Sequence, residues 1–373
     1  MFSMGYSKYF FRHCLVALTT SLFLLAVVPA LAQPYRNPRI FLHRDSAILY
    51  TFENNLSIRA TRHALSLAQT TAIPVLLALR SDSVAMHVPL PFRPGIEKTE
   101  WRKPPQLLFI SDIEGNAEGL LRLLKAAGVL DAHMNWTFGK GHVAFIGDFV
   151  DRGPAIHETL LLAYYVEQQA ALAGGKLHFI LGNHEIMHLA GDSSYAPPQY
   201  RQQATAMGMH YADVLGASSM SGQWLMTKNV AEKIGPFLVV HGGISPYVNT
   251  MEPSLTQLND LARPLYRDTT GEGPDVPSTI TISEYGPFWY RGYYTGELKA
   301  SAATIDSTLR LFGVKHIITG HTVVSKQISS HFSGKVINID VPHAMGASEA
   351  LLWKDDRFFR VLADGSVIAL AVQ

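Results

Sequence analysis

The chain has 373 residues, of which 47% are hydrophobic and only 16% charged, and its net charge is +1. No run of Lys or Arg stands out, which argues against a nucleic-acid-binding or anionic-lipid-binding surface. The single cysteine, Cys14, excludes a disulfide framework within the chain; stability must come from a packed core, for which the length is ample.

The first 32 residues predict an export signal. Lys8 and Arg12 supply a positive N-region, residues 15–31 are apolar, and Ala30-Leu31-Ala32 offers the small residues a signal peptidase needs. Cleavage is expected before Gln33, placing the protein in the periplasm or outside the cell. The competing reading, an uncleaved anchor, suffers from the shortness of the apolar stretch. Cys14 falls inside this signal, and Phe11-Arg12-His13 before it does not resemble a lipoprotein cleavage box. No other stretch is long and apolar enough to cross a bilayer, so no stable membrane span is expected after cleavage.

Residues 33–103 differ in rhythm from the remainder of the chain. Segments 39–42, 47–52, 73–79 and 84–88 predict short strands, and Pro89, Pro91, Pro94, Pro104 and Pro105 then interrupt the pattern. This reads as a small β-rich N-terminal unit with a Pro-rich linker. Residues 104–373 read as a second domain. Strands are predicted at 107–110, 143–146, 177–181, 237–240 and 316–319. A helix capped by Asn116 and ending near Gly128 comes after the first, and a helix over about 155–173 after the second. Alternating strands and helices imply parallel pairing in an α/β domain, with ligand sites at the carboxyl ends of the strands. Taken alone, this alternation suggests a single sheet. Residues 188–235 and 247–300 break the rhythm and are expected to form lid insertions over a site.

Five segments place polar side chains at the ends of these apolar runs. They are Ser111-Asp112-Ile113-Glu114-Gly115-Asn116, Gly147-Asp148-Phe149-Val150-Asp151-Arg152-Gly153, Gly182-Asn183-His184-Glu185, His241-Gly242-Gly243 and Gly320-His321-Thr322. Singly, an Asp beside a Gly is usually a turn residue and a His a hydrogen-bonded core group. Five in this order point instead to hydrolysis of a phosphate ester by two metal ions, which supply a bridging hydroxide nucleophile and neutralise charge. Asp148 is the expected bridging ligand. Asp112 and Glu114 are expected on one ion, and Asn183, His241 and His321 on the other. His184 is the candidate general acid, oriented by Asp151. Arg152 and Arg291 are the candidate phosphate clamps, and two arginines suit a dianionic monoester. Glu185 reads as loop support. Tyr285, Trp289, Tyr290, Tyr293 and Tyr294 crowd around Arg291, either to stack on an aromatic leaving group or as packed core.

These segments resemble those of the calcineurin-like metallophosphoesterases, in particular the phosphoprotein phosphatase branch. The export signal and Gly286-Pro287-Phe288-Trp289-Tyr290-Arg291 are most similar to the bacterial Shewanella-like protein phosphatases. The resemblance covers residues 106–345. It implies an α/β (α+β) fold built on a β-sandwich flanked by helices, two divalent metals, and dephosphorylation of phosphoproteins. One position departs from the family pattern: Glu114 stands where a histidine ligand is usual. An all-oxygen set of Asp112, Glu114 and Asp148 would favour Mn²⁺ or Mg²⁺ over Zn²⁺ at that ion; Mn²⁺ is the expected metal overall, with Mg²⁺, Fe or Zn²⁺ as alternatives. The all-oxygen set would also raise the pH optimum, which Glu114→His should lower; alternatively, Glu114 does not bind metal.

The sequence thus leads to an exported phosphomonoesterase acting on phosphotyrosine, phosphoserine or phosphothreonine of proteins or peptides, or on a small phosphomonoester, with no nucleic-acid partner. Two alternatives stand beside it: a phosphodiesterase or dinucleoside polyphosphate hydrolase on the same scaffold, and an inactive metal-dependent protein that binds phosphorylated partners. Intact His184 and Asp151 argue against the last.

Overall fold

The computed structural model describes residues 33–372 apart from 55–56, 91, 269–274 and 344–347; the segment read as an export signal lies outside the described residues. Among them, no helix is long and apolar enough to cross a membrane.

Six strands open the described chain: β1 (Tyr35–Arg36), β2 (Arg39–Leu42), β3 (Ser46–Phe52), β4 (Ala60–Ser66), β5 (Ala72–Ala78) and β6 (Ser83–Pro89). They form two three-stranded sheets, ordered β1-β5-β6 and β2-β3-β4. In β6 the buried Val84, Met86 and Val88 alternate with exposed neighbours, the period of a half-buried strand. Strand β4 was not expected. Its sequence, Ala-Thr-Arg-His-Ala-Leu-Ser, has no buried face, and pairing with β3 along its whole length holds it in place.

These sheets are not an appended unit, as the linker had suggested. Residues 34–373 form one compact unit. Ile40, Leu49, Ile73, Val75 and Leu77 join the same core as the central strands and helices. Arg39 also makes a buried ion pair with Glu158 at 3.3 Å. A three-stranded sheet with one apolar face has little stability alone, so burying that face against a larger body is the expected outcome.

The main body runs β7 (Glu100–Trp101), β8 (Gln106–Ile110), α1 (Ala117–Ala126), β9 (His142–Ile146), α2 (Ile156–Leu172), β10 (Lys176–Ile180) and α3 (Asn183–Leu189). It continues through α4 (Pro198–Ala206), α5 (Tyr211–Val214), α6 (Met220–Leu225), β11 (Ala231–Ile234), β12 (Phe237–Val240), α7 (Pro246–Thr250), α8 (Leu255–Ala262) and α9 (Val276–Ile282). It closes with α10 (Ala302–Phe312), β13 (His316–Thr319), β14 (Ser329–His331), β15 (Val336–Asn338), β16 (Glu349–Lys354), β17 (Arg357–Leu362) and β18 (Val367–Ala369).

The strands make two six-stranded sheets, ordered β10-β9-β8-β16-β17-β18 and β14-β15-β13-β12-β11-β7. Their inner faces share a core: Leu107, Phe109, Ala144, Ile146 and Ile180 from the first meet Ile234, Phe237, Val239, Ile318 and Ile337 from the second. This is the sandwich that the family resemblance implied, in place of the single sheet suggested by strand–helix alternation. The outward residues Leu108, Val143, Phe145 and Phe179 join the α1 and α2 side chains Leu120, Leu123, Leu160 and Val166 in the larger core. Burial on both faces explains why β8, β9 and β10 read as nearly unbroken apolar runs.

Parallel pairing sets the position of the site. β8, β9 and β10 run parallel in the first sheet, and β12 and β13 run parallel in the second. Their carboxyl ends therefore open along one edge of the sandwich, and each of the five segments begins there. The expected lid insertions are only partly lids. Residues 231–234 form β11 within the second sheet. Helix α8 is tied to it, because Asn259 Oδ1 accepts from Val230 N at 2.7 Å and Ala231 N at 3.2 Å.

Candidate active site

The chain pays at the strand ends in backbone conformation. Asp112 (φ 51°), Glu114 (50°), Asp148 (56°), Asp151 (71°), Arg152 (53°) and His321 (69°) are all left-handed non-glycine residues. Each such conformation costs on the order of 1–3 kcal/mol and persists only where surrounding contacts hold it. Close approach requires glycine at two neighbouring positions. A Cβ at Gly182 would collide with the Asp148 carboxylate, and one at Gly320 with that of Asp112.

Glu185 supplies much of the restraint. It is fully buried. Its Oε2 accepts from Asp148 N and Gly182 N, both at 2.8 Å, and its Oε1 from Phe149 N at 2.8 Å and Val150 N at 3.3 Å. One carboxylate thus ties the loop after β9 to the loop after β10.

Within that frame, donor atoms of Asp148, His241 and His321 lie within 4.8 Å of one another, and all three residues are buried. His241 donates Nδ1–H to Ile146 O at 2.7 Å. Its Nε2 then faces two oxygens, Asn183 Oδ1 at 3.1 Å and Asp148 Oδ2 at 3.2 Å. Lone pairs meeting in this way require positive charge between them. Burial opposes a charged His241, yet Asp148 and Asp112 outweigh it and raise its pKa to about 10. His321 donates Nε2–H to Trp289 O at 3.0 Å, while its Nδ1 is buried without a hydrogen-bond partner. Asp112 accepts from His321 N at 3.1 Å. Burial, opposed by His241 and reinforced by Asp148, raises its pKa to about 6. An orphaned imidazole nitrogen, crowded carboxylates and an amide oxygen make a donor set that fits divalent metal ions.

Beside this set stands an imidazole–carboxylate pair. His184 Nδ1–H donates to Asp151 Oδ2 at 2.6 Å. Arg152 Nη2 lies 3.2 Å from His184 Nε2, close enough to donate to it only while that nitrogen carries no proton. Burial works against a charged His184, but Asp148 and the hydrogen-bonded Asp151 prevail and raise its pKa above the ordinary value. Two exposed guanidiniums lie above the buried donors. Arg152 reaches over the His184 side. Arg291 reaches over the His321 side, donating to His321 O and to Thr322 Oγ1 at 3.3 Å.

The family model for calcineurin-like phosphoesterases matches residues 105–325. The chain belongs to that family. A cold-active protein-tyrosine phosphatase of a psychrophilic Shewanella species superposes on it with a TM-score of 0.80 and 30% identity, covering 90% of this chain and 98% of that one. Shewanella-like protein phosphatase 2 of Arabidopsis thaliana is 26% identical over 312 residues, 69% of this chain and 76% of the relative. The chain is therefore a phosphatase, of a family that depends on two metal ions. These findings agree with the resemblance drawn from the five segments.

In this calcineurin-like phosphatase the Glu114 side chain faces an arginine. Its carboxylate is bound by the Arg152 guanidinium, and like Asp112 it is not part of the compact group formed by Asp148, His241 and His321. At the strand end Glu114 is left-handed and half-buried, so its side chain reaches the arginine across the loop. The aromatic group around Arg291 divides. Tyr290 and Tyr293 are buried core, with hydroxyls on Leu298 O and Ile244 N. Tyr285 and half-buried Trp289, with part of Tyr290, line a cleft of about 540 Å³ that includes Arg291.

Sequence reasoning missed three neighbours of the site. Asp340, buried just beyond β15, is held well above the usual carboxylate range by burial and by Asp112; the short strand Val336-Ile337-Asn338 followed by Ile339 and Asp340 echoes the other segments, though Asn338 interrupts its apolar run. Tyr195 is 52% exposed, sets its ring edge-on to His184 at 5.1 Å between centroids and lies 5.7 Å from the Arg152 guanidinium carbon. His188 contacts Asp151 from one turn further along α3, and its spacing of four from His184 was the available signal.

Proposed function

We propose that this phosphatase is an exported phosphomonoesterase that removes phosphate from phosphotyrosine, phosphoserine or phosphothreonine in proteins or peptides. Asp112, Asp148, Asn183, His241 and His321 would hold the two metal ions, with Mn²⁺ favoured by the share of oxygen donors. When bound, such ions supply an activated water and neutralise phosphate charge. The chain's own groups do the rest. Arg152 and Arg291 grip phosphate oxygens in planar forks, and two cations match a dianion. His184 carries a proton at Nε2 and delivers it to the leaving oxygen, while Asp151 holds Nδ1–H and so fixes the ring's tautomer. Glu114 holds Arg152 rather than metal. Export rests on the N-terminal pattern of Lys8, Arg12, an apolar run and Ala30-Leu31-Ala32.

The observation that carries this reading is the lone pair of His321 Nδ1, buried without a partner, in a donor cluster beside an imidazole–carboxylate pair and two exposed arginines. The test is a metal-supplementation assay of the purified protein on phosphotyrosyl and phosphoseryl peptides, with an aryl monoester and its diester run in parallel. Activity that appears on adding Mn²⁺, disappears with chelator and favours the monoester supports the reading. Preference for the diester would move the assignment to phosphodiesterases. Binding of phosphopeptide without turnover would mark an inactive binding protein. Fractionation of cells expressing the tagged full chain tests export, and a cytoplasmic product of unaltered mass would refute it.

A further inference from the structure

Asp151 carries an imidazole on each carboxylate oxygen. Its Oδ2 accepts from His184 Nδ1 at 2.6 Å, and its Oδ1 accepts from His188 Nε2. The other ring nitrogen of His188, Nδ1, lies 3.0 Å from the Tyr211 hydroxyl. Asp151 and His188 are 1% and 2% exposed, so water does not compete for these bonds.

The chemistry of the carboxylate fixes the direction of both bonds to it. An ionised carboxylate only accepts, so both imidazoles must donate to Asp151. Burial would favour the neutral acid, but the hydrogen bonds from His184 and His188 keep its pKa below the ordinary value. With Nε2–H given to Asp151, a neutral His188 presents a lone pair at Nδ1. Tyr211, whose hydroxyl burial keeps protonated, donates to that lone pair. Each member of that chain then has the role its neighbour requires.

We infer that His188 and Tyr211 are positioning residues for the proton donor: by occupying the second oxygen of Asp151 they prevent its rotation and hold the plane and tautomer of His184. The inference rests on the reading of His184 as the acid. A carboxylate held by one imidazole alone can turn about its χ angles and present either oxygen. Held by two, it has one orientation, and His184 Nε2 then has one direction in which to deliver its proton.

The outer end of the chain is anchored in an unexpected place. Tyr211 opens α5 and packs against a cluster of Phe41, Phe52, Ala204, Met207 and Val214. Phe41 belongs to β2 and Phe52 to β3, so the N-terminal sheet buttresses the tyrosine that orders the acid. That sheet, which contributes none of the metal-site donors, thereby takes part in catalysis through packing.

The experiment is a leaving-group series on the metal-loaded full chain, using aryl phosphates from nitrophenyl to phenyl. A buried histidine with a purely structural role would lower kcat equally across the series. A positioning role steepens the dependence of kcat on leaving-group pKa, because poor leaving groups need the proton most. His188→Ala should lower kcat on phenyl phosphate by about 10- to 100-fold, the range typical of lost supporting contacts, and by less on nitrophenyl phosphate. His188→Gln, which keeps an N–H donor, should recover most of the loss. Tyr211→Phe removes one hydroxyl without changing shape. It should steepen the series in the same direction by a smaller factor, and it carries the test alone if His188→Ala does not fold. If His184→Ala steepens the series while His188→Ala and Tyr211→Phe shift it in parallel or not at all, the inference is overturned and the assignment of His184 stands. If His184→Ala itself gives a parallel shift, that assignment falls and this one with it.

Discussion

Replacing Glu185 with Gln changes one atom in the middle of the site, and the hydrogen bonds around that atom set the size of the effect. Each oxygen of Glu185 serves two backbone N–H groups: Oε2 those of Asp148 and Gly182, Oε1 those of Phe149 and Val150. The Gln side chain has the same shape but only one oxygen. In either amide orientation, one pair of buried N–H groups faces an NH₂ and loses its acceptor. Leaving a buried donor unsatisfied costs about 1–3 kcal/mol, so two together predict a loss of about 2–6 kcal/mol. Against a typical total of about 5–15 kcal/mol that is a severe change for an isosteric substitution. The assay is urea unfolding of both proteins at pH 8 in chelator, so that metal binding does not enter. A second effect should arise from the same contacts. Glu185 restrains the left-handed Asp148 backbone, so Glu185→Gln should need a higher Mn²⁺ concentration for half-maximal activity. A stability loss below about 1 kcal/mol would refute the view that this carboxylate holds the two loops together.

Three further outcomes can be checked. Glu114→Gln should leave two metal ions per chain by elemental analysis while tightening inhibition by inorganic phosphate about 2- to 10-fold, since Arg152 loses a competing carboxylate; loss of one ion would instead make Glu114 a ligand. Tyr195→Ala should lower kcat/KM on a phosphotyrosyl peptide by about 2- to 10-fold, the scale of one aromatic or cation–π contact, and an unchanged value would exclude contact with the leaving group. Burial alone would raise the pKa of Glu97, but Lys228 and Lys176 overcome it and lower the carboxyl from 4.5 to about 2. A lowered carboxyl stabilises the fold above the unfolded value, by about 3 kcal/mol here, and that contribution is lost as pH falls from 4.5 toward 2. Denaturation midpoints should therefore drop over that interval, and Glu97→Gln should flatten the drop; an equally steep profile in the variant would refute the linkage.

The site was legible where function is written in local sequence. Strands β8, β9, β10, β12 and β13 announce themselves as apolar runs, and in parallel α/β architecture their last residues have only one edge to occupy. Asp112, Asp148, Asn183, His241 and His321 could therefore be proposed together without coordinates. Legibility failed where a contact joins distant parts of the chain. Nothing local marks Tyr211 as the partner of His188, or Arg39 as that of Glu158. Strand β4 has no apolar face to betray it, and among the described residues β16 and β17 pair only with each other, β8 and β18. Glu114 is a different case: its position beside Asp112 suggested metal, and its side chain also meets Arg152 across the loop, a contact that no local signal marks. Two sheets rather than one could not be derived from alternation, because helices flank the outer faces of a sandwich much as they flank a single sheet.

The docking of the N-terminal sheets and the pairing of β16 with β8 bear on how this enzyme can be cut. A fragment trimmed to residues 105–325, the stretch matched by the family model, would lose Arg39 and strand β16. Glu158 would lose its ion-pair partner, and the apolar surface that the N-terminal sheets cover would be laid open. β8, central in the intact protein, would become a bare hydrophobic edge inviting intermolecular pairing. The recognisable catalytic segment is thus not self-sufficient, and both flanks must be retained in any shortened version meant to stay soluble.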